Sequence, residues 1–271
     1  MDDTYQVYVN RMVRLSQLDT YRQQVSHLQP SPKYKPTTTG GWGAAPFPGC
    51  TVLTPPWQDG DPINADFYTA VQNVQAELVR AFPPGLWQPV PPASFHMTIA
   101  DLLWADAYEQ ANQPEDFTTQ LTQAIAPIFQ RHQAELQTAP LTWQSLGLLL
   151  MPRAIALGLV PTQAATYDRI CALRRSLYQS KALMALGIEQ QYHFTAHITL
   201  GYFTDLTAVE TAGEDGMAQL INQLDGQNQT WLDHQANAHF VLPAIQFRTF
   251  PNMERYDRKV HWPELTCTPQ D

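Results

Sequence analysis

Two short segments of the sequence carry the same pattern: a histidine, an apolar residue, a threonine and a second apolar residue. The first is His96-Met-Thr-Ile99, and the second, 101 residues further on, is His197-Ile-Thr-Leu200. In a β-strand alternate side chains share a face, so each histidine lies beside its threonine, Thr98 or Thr199, while the apolar residues face a core. The histidine and threonine are then roughly 6–7 Å apart. Both can therefore contact a tetrahedral anion that lies between the two motifs.

This pair of motifs suits the cleavage of a phosphodiester. A neutral imidazole can take a proton from water or a hydroxyl, and an imidazolium can protonate the departing oxygen, because the ordinary histidine pKa of about 6.5 allows both forms near neutrality. Threonine hydroxyls can donate hydrogen bonds to the phosphate oxygens as negative charge builds up. This chemistry requires no metal and no other cofactor, and it leaves open which histidine is the base and which is the acid.

A rival placement of the second motif exists in the same segment. His193-Phe-Thr-Ala196 fits the pattern loosely and lies on the same face as His197, but Ile198 and Leu200 give His197 the better core face, which leaves His193 as a candidate to line the mouth of the cleft. A zinc site built from His193 and His197 would need a helix, because four residues of a strand span about 13 Å. The β-branched and aromatic residues here favour a strand, so we predict no metal site.

The elements that position the motifs follow a repeated order of strand, helix and strand. Each motif occupies the second strand of its repeat, and the six predicted segments are 50–54, 61–82, 95–99, 154–160, 162–186 and 197–202. We therefore predict an α+β fold of two pseudo-symmetric lobes, each an antiparallel sheet flanked by helices, with a central cleft between the motif strands.

The rest of the chain divides around this bilobal unit. For residues 1–46 we predict an accessory helical arm followed by a loop rich in Pro, Gly and Thr. The bilobal domain then covers residues 47–250, and residues 251–271 form a C-terminal tail.

The two motifs resemble those of the 2H (two-histidine) phosphoesterase superfamily, whose LigT-like members carry two such motifs on facing strands. The similarity covers residues 47–250, includes Pro48-Gly-Cys-Thr-Val52, and is nearer to a poorly characterised bacterial branch than to the RNA-processing members. The resemblance implies that His96 and His197 act as acid and base on a 2′,3′-cyclic or related phosphodiester. It also implies that Thr98 and Thr199 bind the phosphate.

The sequence departs from the superfamily at one point. Many RNA-directed members have an arginine soon after the second motif, where this chain has Gly201-Tyr-Phe203. This leaves room for a small nucleotide or another cyclic phosphodiester, and it motivates an alternative, a non-catalytic nucleotide- or phosphate-binding module. Three more residues are candidates to line the cleft: Arg153 at the tip of a predicted hairpin, Arg248 after the last predicted strand, and Tyr202. Strict alternation, however, points Tyr202 away from Thr199.

Composition narrows the partners further. The 271 residues contain 16 Lys and Arg against 25 Asp and Glu, a net charge of −9 that opposes binding of a long nucleic-acid duplex. Three widely spaced cysteines do not predict a disulfide framework. No apolar stretch is long enough to span a membrane, and the first residues do not form a signal peptide. We expect a cytoplasmic monomer that acts on a small phosphodiester or a short RNA end.

Overall fold

The structure combines α-helices with antiparallel sheets, as the sequence predicts. The computed structural model describes residues 2–235 and 238–267. Its α-helices are, in chain order, α1 (Tyr5–Leu15), α2 (Leu18–Gln24), α3 (Ala65–Ala81), α4 (Ala105–Ala111), α5 (Phe117–Leu136), α6 (Ala164–Tyr178), α7 (Lys181–Ala185), α8 (Thr207–Thr211) and α9 (Gly213–Gln235). Short 3-10 helices occur at Val25–His27, Trp57–Asp59, Pro62–Asn64 and Pro92–Ser94.

The strands of the described chain build two large sheets and a short ribbon. They are β1 (Tyr34–Pro36), β2 (Trp42–Ala44), β3 (Gly49–Leu53), β4 (Trp87–Pro89), β5 (Thr98–Trp104), β6 (Thr142–Met151), β7 (Ala154–Pro161), β8 (His197–Phe203), β9 (His239–Val241), β10 (Ala244–Asn252), β11 (Arg255–Asp257) and β12 (Glu264–Thr266). The first sheet has the order β11–β10–β3–β5, with β12 also paired to β10, and the second has the order β4–β8–β7–β6–β9. The ribbon is β1–β2.

The helices of the two repeats connect the two sheets. Helix α3, which follows β3 of the first sheet, packs against β4 and α9 on the second, and its Phe67 ring lies 5.5 Å from that of Phe240 in β9. Helix α6, which follows β7 of the second sheet, contacts both β7 itself and β5 of the first sheet, and it lies beside α5, which covers β12. The predicted pair of lobes is therefore present, and helices of both repeats pack across the boundary between them.

Residues 2–46 are more closely integrated than the predicted accessory arm. Helices α1 and α2 pack on β6 and β7, and Tyr8, Met12 and Tyr21 are fully buried. The Tyr8 hydroxyl donates a hydrogen bond to the Leu159 carbonyl at 2.6 Å, and the Tyr21 hydroxyl donates one to the Leu148 carbonyl at 2.7 Å. The N-terminal helices thus complete the core of the second lobe.

The segment after residue 250 is likewise part of the fold. Strands β11 and β12 both pair with β10, so residues 255–266 extend the first sheet instead of forming the predicted tail. Residues 268–271 of that prediction lie outside the described residues. None of the helices in the described residues is long and apolar enough to cross a membrane.

Candidate functional site

The two motif segments meet where the two sheets come together. Met97, directly before β5, forms an antiparallel bridge with Ile198, the second residue of β8. Both of these apolar side chains are fully buried. The bridge therefore fixes the two motifs against each other and directs their polar residues to the opposite side.

The four polar residues of the motifs line one cleft of about 410 Å³. They are His96, Thr98, His197 and Thr199. Because the strands run antiparallel through the Met97–Ile198 bridge, His96 lies toward Thr199 and Thr98 lies toward His197. Each lobe's histidine therefore faces the other lobe's threonine, and all four side chains are only partly buried.

Both imidazole rings are held by the same local hydrogen bond. His96 Nδ1 lies 2.7 Å from the Ser94 carbonyl oxygen, and His197 Nδ1 lies 2.7 Å from the Thr195 carbonyl oxygen. A carbonyl oxygen can only accept, so Nδ1 carries the hydrogen in each ring and Nε2 is the atom that can take or give a proton. The His96 ring is also packed edge-on against the Tyr256 ring, with the centroids 4.3 Å apart.

The charges around the two rings differ. Burial, together with the positive charges of His197, Arg248 and Lys33, lowers the pKa of His96 to about 4, although its hydrogen bond to a carbonyl opposes this. Burial also lowers the pKa of His197, but there the Asp101 carboxylate acts in the opposite direction. Both environments favour the neutral imidazole, and the Asp101 carboxylate, which favours the charged form, acts on His197.

Asp101 reaches the cleft because β5 is not regular. The pairing of β5 with β3 shifts its register twice, past Ile99 and past Leu102. As a result Thr98, Asp101 and Trp104, each three residues apart, face the cleft together. Strict alternation would have placed Asp101 on the opposite face from Thr98, so sequence periodicity could not reveal it.

A similar irregularity in β8 moves Tyr202. The pairing of β8 with β7 shifts past Leu200, so Tyr202 lies on the same face as Thr199 and lines the cleft. The prediction that Tyr202 points away from Thr199 is wrong, because strict alternation takes no account of this register shift.

A buried arginine supports the irregular part of β5. The Arg174 guanidinium in α6 donates a hydrogen bond to the carbonyl of Ile99, and its Nε lies 2.7 Å from an Asp2 carboxylate oxygen. The Tyr178 hydroxyl donates a hydrogen bond to the Asp101 carbonyl at 2.9 Å. These contacts fix the backbone on either side of Asp101. Withdrawal from bulk water raises the pKa of the Asp101 carboxyl, against the pull of nearby positive charges.

The other predicted candidates divide into two groups. Tyr202 and Arg153 line the cleft, and the Arg153 guanidinium donates a hydrogen bond to Gln29 Oε1 at 2.9 Å. Arg248 does not line it, because its side chain is buried and bound to Asp59, Gln246 and the Tyr256 carbonyl. His193 is also outside it.

His193 lies by the N-terminal segment. Its Nδ1 is 3.5 Å from an Asp3 carboxylate oxygen, and its side chain is largely exposed. Among the residues that the structure describes, no group of three or more His, Cys, Asp or Glu side chains is arranged to hold a metal ion.

Sequence reasoning missed several residues of the cleft. Lys33, from the loop before β1, lies among them, as do the rings of Trp104, Tyr192 and Tyr256. No local pattern marks Lys33 or Tyr256, because each is brought to the motifs only by the packing of a distant segment. The half-buried ring of Trp104 and the exposed ring of Tyr192 are stacked, with their centroids 6.2 Å apart.

Comparisons with known proteins extend the description of the fold. No family model matches the chain, and no curated protein matches its sequence. Among solved structures, a conserved protein of unknown function from Agrobacterium tumefaciens, ATU0111, has a TM-score of 0.51 at 16% identity, over 80% of this chain and 86% of that one. At this identity the similarity shows a shared fold.

Two further solved structures are similar to this chain at lower TM-scores. Escherichia coli LigT, solved with 3′-AMP, has a TM-score of 0.42 at 15% identity, over 78% of this chain and 93% of that one. Kluyveromyces marxianus Usb1, solved with uridine monophosphate, has a TM-score of 0.44 at 12% identity, over 76% and 97%.

Proposed function

We propose that this protein is a metal-independent phosphodiesterase that hydrolyses a small cyclic or terminal phosphodiester, such as a 2′,3′-cyclic nucleotide or an oligonucleotide end. The observation that carries the proposal is the pair of His-x-Thr motifs that face each other across the Met97–Ile198 bridge in one cleft. The arrangement supplies two proton-transfer groups and two hydroxyl donors around a space that suits one phosphate.

The charges in the cleft support an assignment of the two histidines. His96 is the general base, because burial and nearby positive charges lower its pKa to about 4. His197 is the general acid, because the nearby Asp101 carboxylate favours its protonated form. His96 Nε2 takes a proton from water as the water oxygen bonds to phosphorus. The bond between phosphorus and the leaving oxygen breaks, and His197 Nε2 protonates that oxygen.

The products are a phosphate monoester and a free hydroxyl, and proton exchange with solvent returns His96 to its neutral and His197 to its charged form. Thr98 and Thr199 donate hydrogen bonds to non-bridging phosphate oxygens, which gain negative charge in the transition state. The matched Nδ1 hydrogen bonds keep both Nε2 atoms directed to the reaction.

The walls of the cleft favour a nucleotide as the substrate. Trp104 and Tyr192 are stacked at one side of the cleft, and the Tyr192 side chain is 65% exposed. An exposed aromatic face can stack on a base of any sequence. A cleft of about 410 Å³ in a protein of net charge −9 suits a small ligand better than a long polynucleotide.

A nucleotide- or phosphate-binding module without turnover is the second candidate. One observation favours it: the pKa of both imidazoles is lowered, so the empty cleft holds little imidazolium at neutral pH to serve as the acid. The charge of a bound phosphate would favour protonation of His197, which reconciles the lowered pKa with catalysis.

A hydrolysis screen separates the two candidates. The protein, treated with EDTA, is assayed on 2′,3′-cyclic nucleotides, on oligonucleotides with cyclic phosphate ends and on the base-free diester bis(p-nitrophenyl) phosphate. We expect turnover of the nucleotides, and a loss of roughly 100- to 10,000-fold in kcat in each of His96→Gln and His197→Gln. His234→Gln, at an exposed histidine of α9, is the matched control and keeps full activity.

Unchanged activity in both motif variants would contradict the assignment. Tight calorimetric binding of a cyclic nucleotide with no product from any substrate would establish the binding module instead.

A further inference from the structure

Lys33 belongs to the N-terminal segment, and its backbone is fixed by hydrogen bonds to neighbouring parts of that segment and, through Ser31, to β8. The Ser31 amide donates a hydrogen bond to the Phe203 carbonyl at the end of β8 at 2.8 Å, and the Lys33 amide donates one to Ser31 Oγ at 3.3 Å. The Lys33 carbonyl accepts one from the Ala45 amide at 2.9 Å. A lysine held in this way is a built part of the cleft wall.

The ammonium group of Lys33 is surrounded by aromatic rings. Nζ donates a hydrogen bond to the Tyr202 hydroxyl at 3.2 Å and lies 4.7 Å from the centroid of the Tyr202 ring and 5.2 Å from that of Phe47. Among the described carboxylates none forms an ion pair with it. Aromatic faces hold a cation without neutralising its charge, so the positive charge remains available to an anion in the cleft.

The charge of Lys33 reaches both motifs. It lowers the pKa of His96 and of His197, and it pulls down that of Asp101. Neither of the two arginines that the sequence suggested, Arg153 and Arg248, is a comparable donor. Arg153 is exposed and bound to Gln29, and Arg248 is buried outside the cleft against Asp59.

We propose that Lys33 binds the non-bridging oxygens of the scissile phosphate and provides the main cationic charge of the site. The proposal rests on the proposed function, because it deepens the role of the same cleft. An ammonium group with three donors can bind a phosphate oxygen while it keeps its contact with Tyr202. The phosphate gains negative charge in the transition state, so the lysine stabilises that state more than the bound substrate.

This placement also accounts for the Gly201-Tyr-Phe203 stretch in β8. The chain has no arginine there, and Tyr202 instead packs its ring and hydroxyl against Lys33. The cation that completes the site is therefore delivered by the N-terminal segment, 169 residues away in sequence.

The test uses Lys33→Met, Lys33→Arg and the matched control Lys35→Met, in which an exposed lysine of β1 is removed two residues away. Inorganic phosphate binding is measured by calorimetry, and kcat/KM is measured on a 2′,3′-cyclic nucleotide. We expect Lys33→Met to weaken phosphate binding roughly 10- to 100-fold and to lower kcat/KM by at least that factor. Lys33→Arg should recover much of both, and Lys35→Met should match the wild type.

A second readout separates phosphate binding from a purely structural role. Histidine ring protons are titrated by NMR in the wild type and in Lys33→Met, with folding checked by circular dichroism. Loss of the nearby positive charge should raise the pKa of His96 and His197 in a folded variant. In Lys35→Met these two pKa values should not move.

The outcomes distinguish this inference from the proposed function. If His96→Gln and His197→Gln abolish turnover while Lys33→Met binds phosphate and turns over like the wild type, the role of Lys33 is overturned and the phosphodiesterase stands. If the wild type neither binds phosphate nor hydrolyses any diester, the proposed function is overturned, and the inference falls with it.

Discussion

At the scale of single residues, the two motifs are alike in sequence but differ in electrostatics. Each histidine hydrogen-bonds a carbonyl two residues earlier through Nδ1. The difference comes from the neighbours, since His96 has cations around it and His197 has Asp101. Two histidines that are equivalent by sequence therefore have different electrostatic surroundings in the folded protein.

The pH dependence of the reaction follows from these two lowered pKa values. The base must be neutral, which holds above the His96 pKa of about 4, and the acid must be protonated, which holds below the His197 pKa, itself under the usual 6.5. We expect kcat/KM to follow a bell-shaped profile with its maximum below pH 6.5 and to fall as the pH rises toward neutrality. Initial rates at constant ionic strength check this, and a maximum above pH 7 would contradict it.

Replacing Asp101 tests which histidine is the acid. Asp101→Asn removes the carboxylate that favours imidazolium at His197, so the pKa of His197 should fall further. We expect the alkaline limb of the kcat/KM profile to move to lower pH, and the rate at pH 7 to drop by about tenfold if the pKa of His197 falls by one. Asp106→Asn, at an exposed aspartate of α4, is the control. Movement of the acidic limb alone would reverse the roles of His96 and His197.

At the scale of elements, alternation of polar and apolar residues predicted the motif strands but not their irregularities. The α+β class, the order of the repeated elements, the hairpin of β6 and β7 and the common cleft of the motif residues were all accessible from the sequence. Asp101 and Tyr202 were not correctly placed, because register shifts at Ile99, Leu102 and Leu200 depend on the neighbouring strands. A bulge has no reliable local sequence signature, so periodicity fails where these strands approach the site.

The close pairing of β4 and β8 can be tested at Gly201. A Cβ at this position would lie 2.5 Å from the Gln88 carbonyl oxygen and would also meet the Trp87 ring. Since backbone cannot move aside cheaply, we expect Gly201→Ala to lower the free energy of unfolding by about 1–3 kcal/mol. Urea denaturation measures the change.

Gly226→Ala is the matched control for this substitution. In α9 an added Cβ at Gly226 meets no heavy atom within 4 Å, so this variant should be neutral or more stable by up to about 1 kcal/mol. Equal stability of the two variants would mean that β4 and β8 are less closely packed than the structure indicates.

At the scale of the whole molecule, packing between distant segments sets the positions of the N-terminal helices, β11 and Lys33, which the sequence did not predict. The predicted domain boundaries at residues 46 and 250 follow loop composition and the extent of the resemblance. Neither shows which elements the flanking segments pack against. Helices α1 and α2 complete the second lobe, and β11 brings Tyr256 against His96. Lys33 reaches the cleft by the same long-range packing.

Docking of the N-terminal helix can be measured through Tyr8. Its hydroxyl donates a hydrogen bond to the Leu159 carbonyl and accepts one from the Ala196 amide at 3.3 Å, in a fully buried position. Tyr8→Phe leaves both groups without this partner, so we expect a loss of about 1–3 kcal/mol in unfolding free energy. Tyr192→Phe, 65% exposed, should change stability by less than about 0.5 kcal/mol. Identical denaturation midpoints for the two variants would show that α1 docks without this hydrogen bond.

The Met97–Ile198 bridge divides the site between the two halves of the chain. Each histidine lies opposite a threonine of the other repeat, so neither half contains a facing histidine and threonine of its own. A fragment that ends between the two motifs therefore carries no complete pair, and the proposed reaction needs both halves of the chain at once.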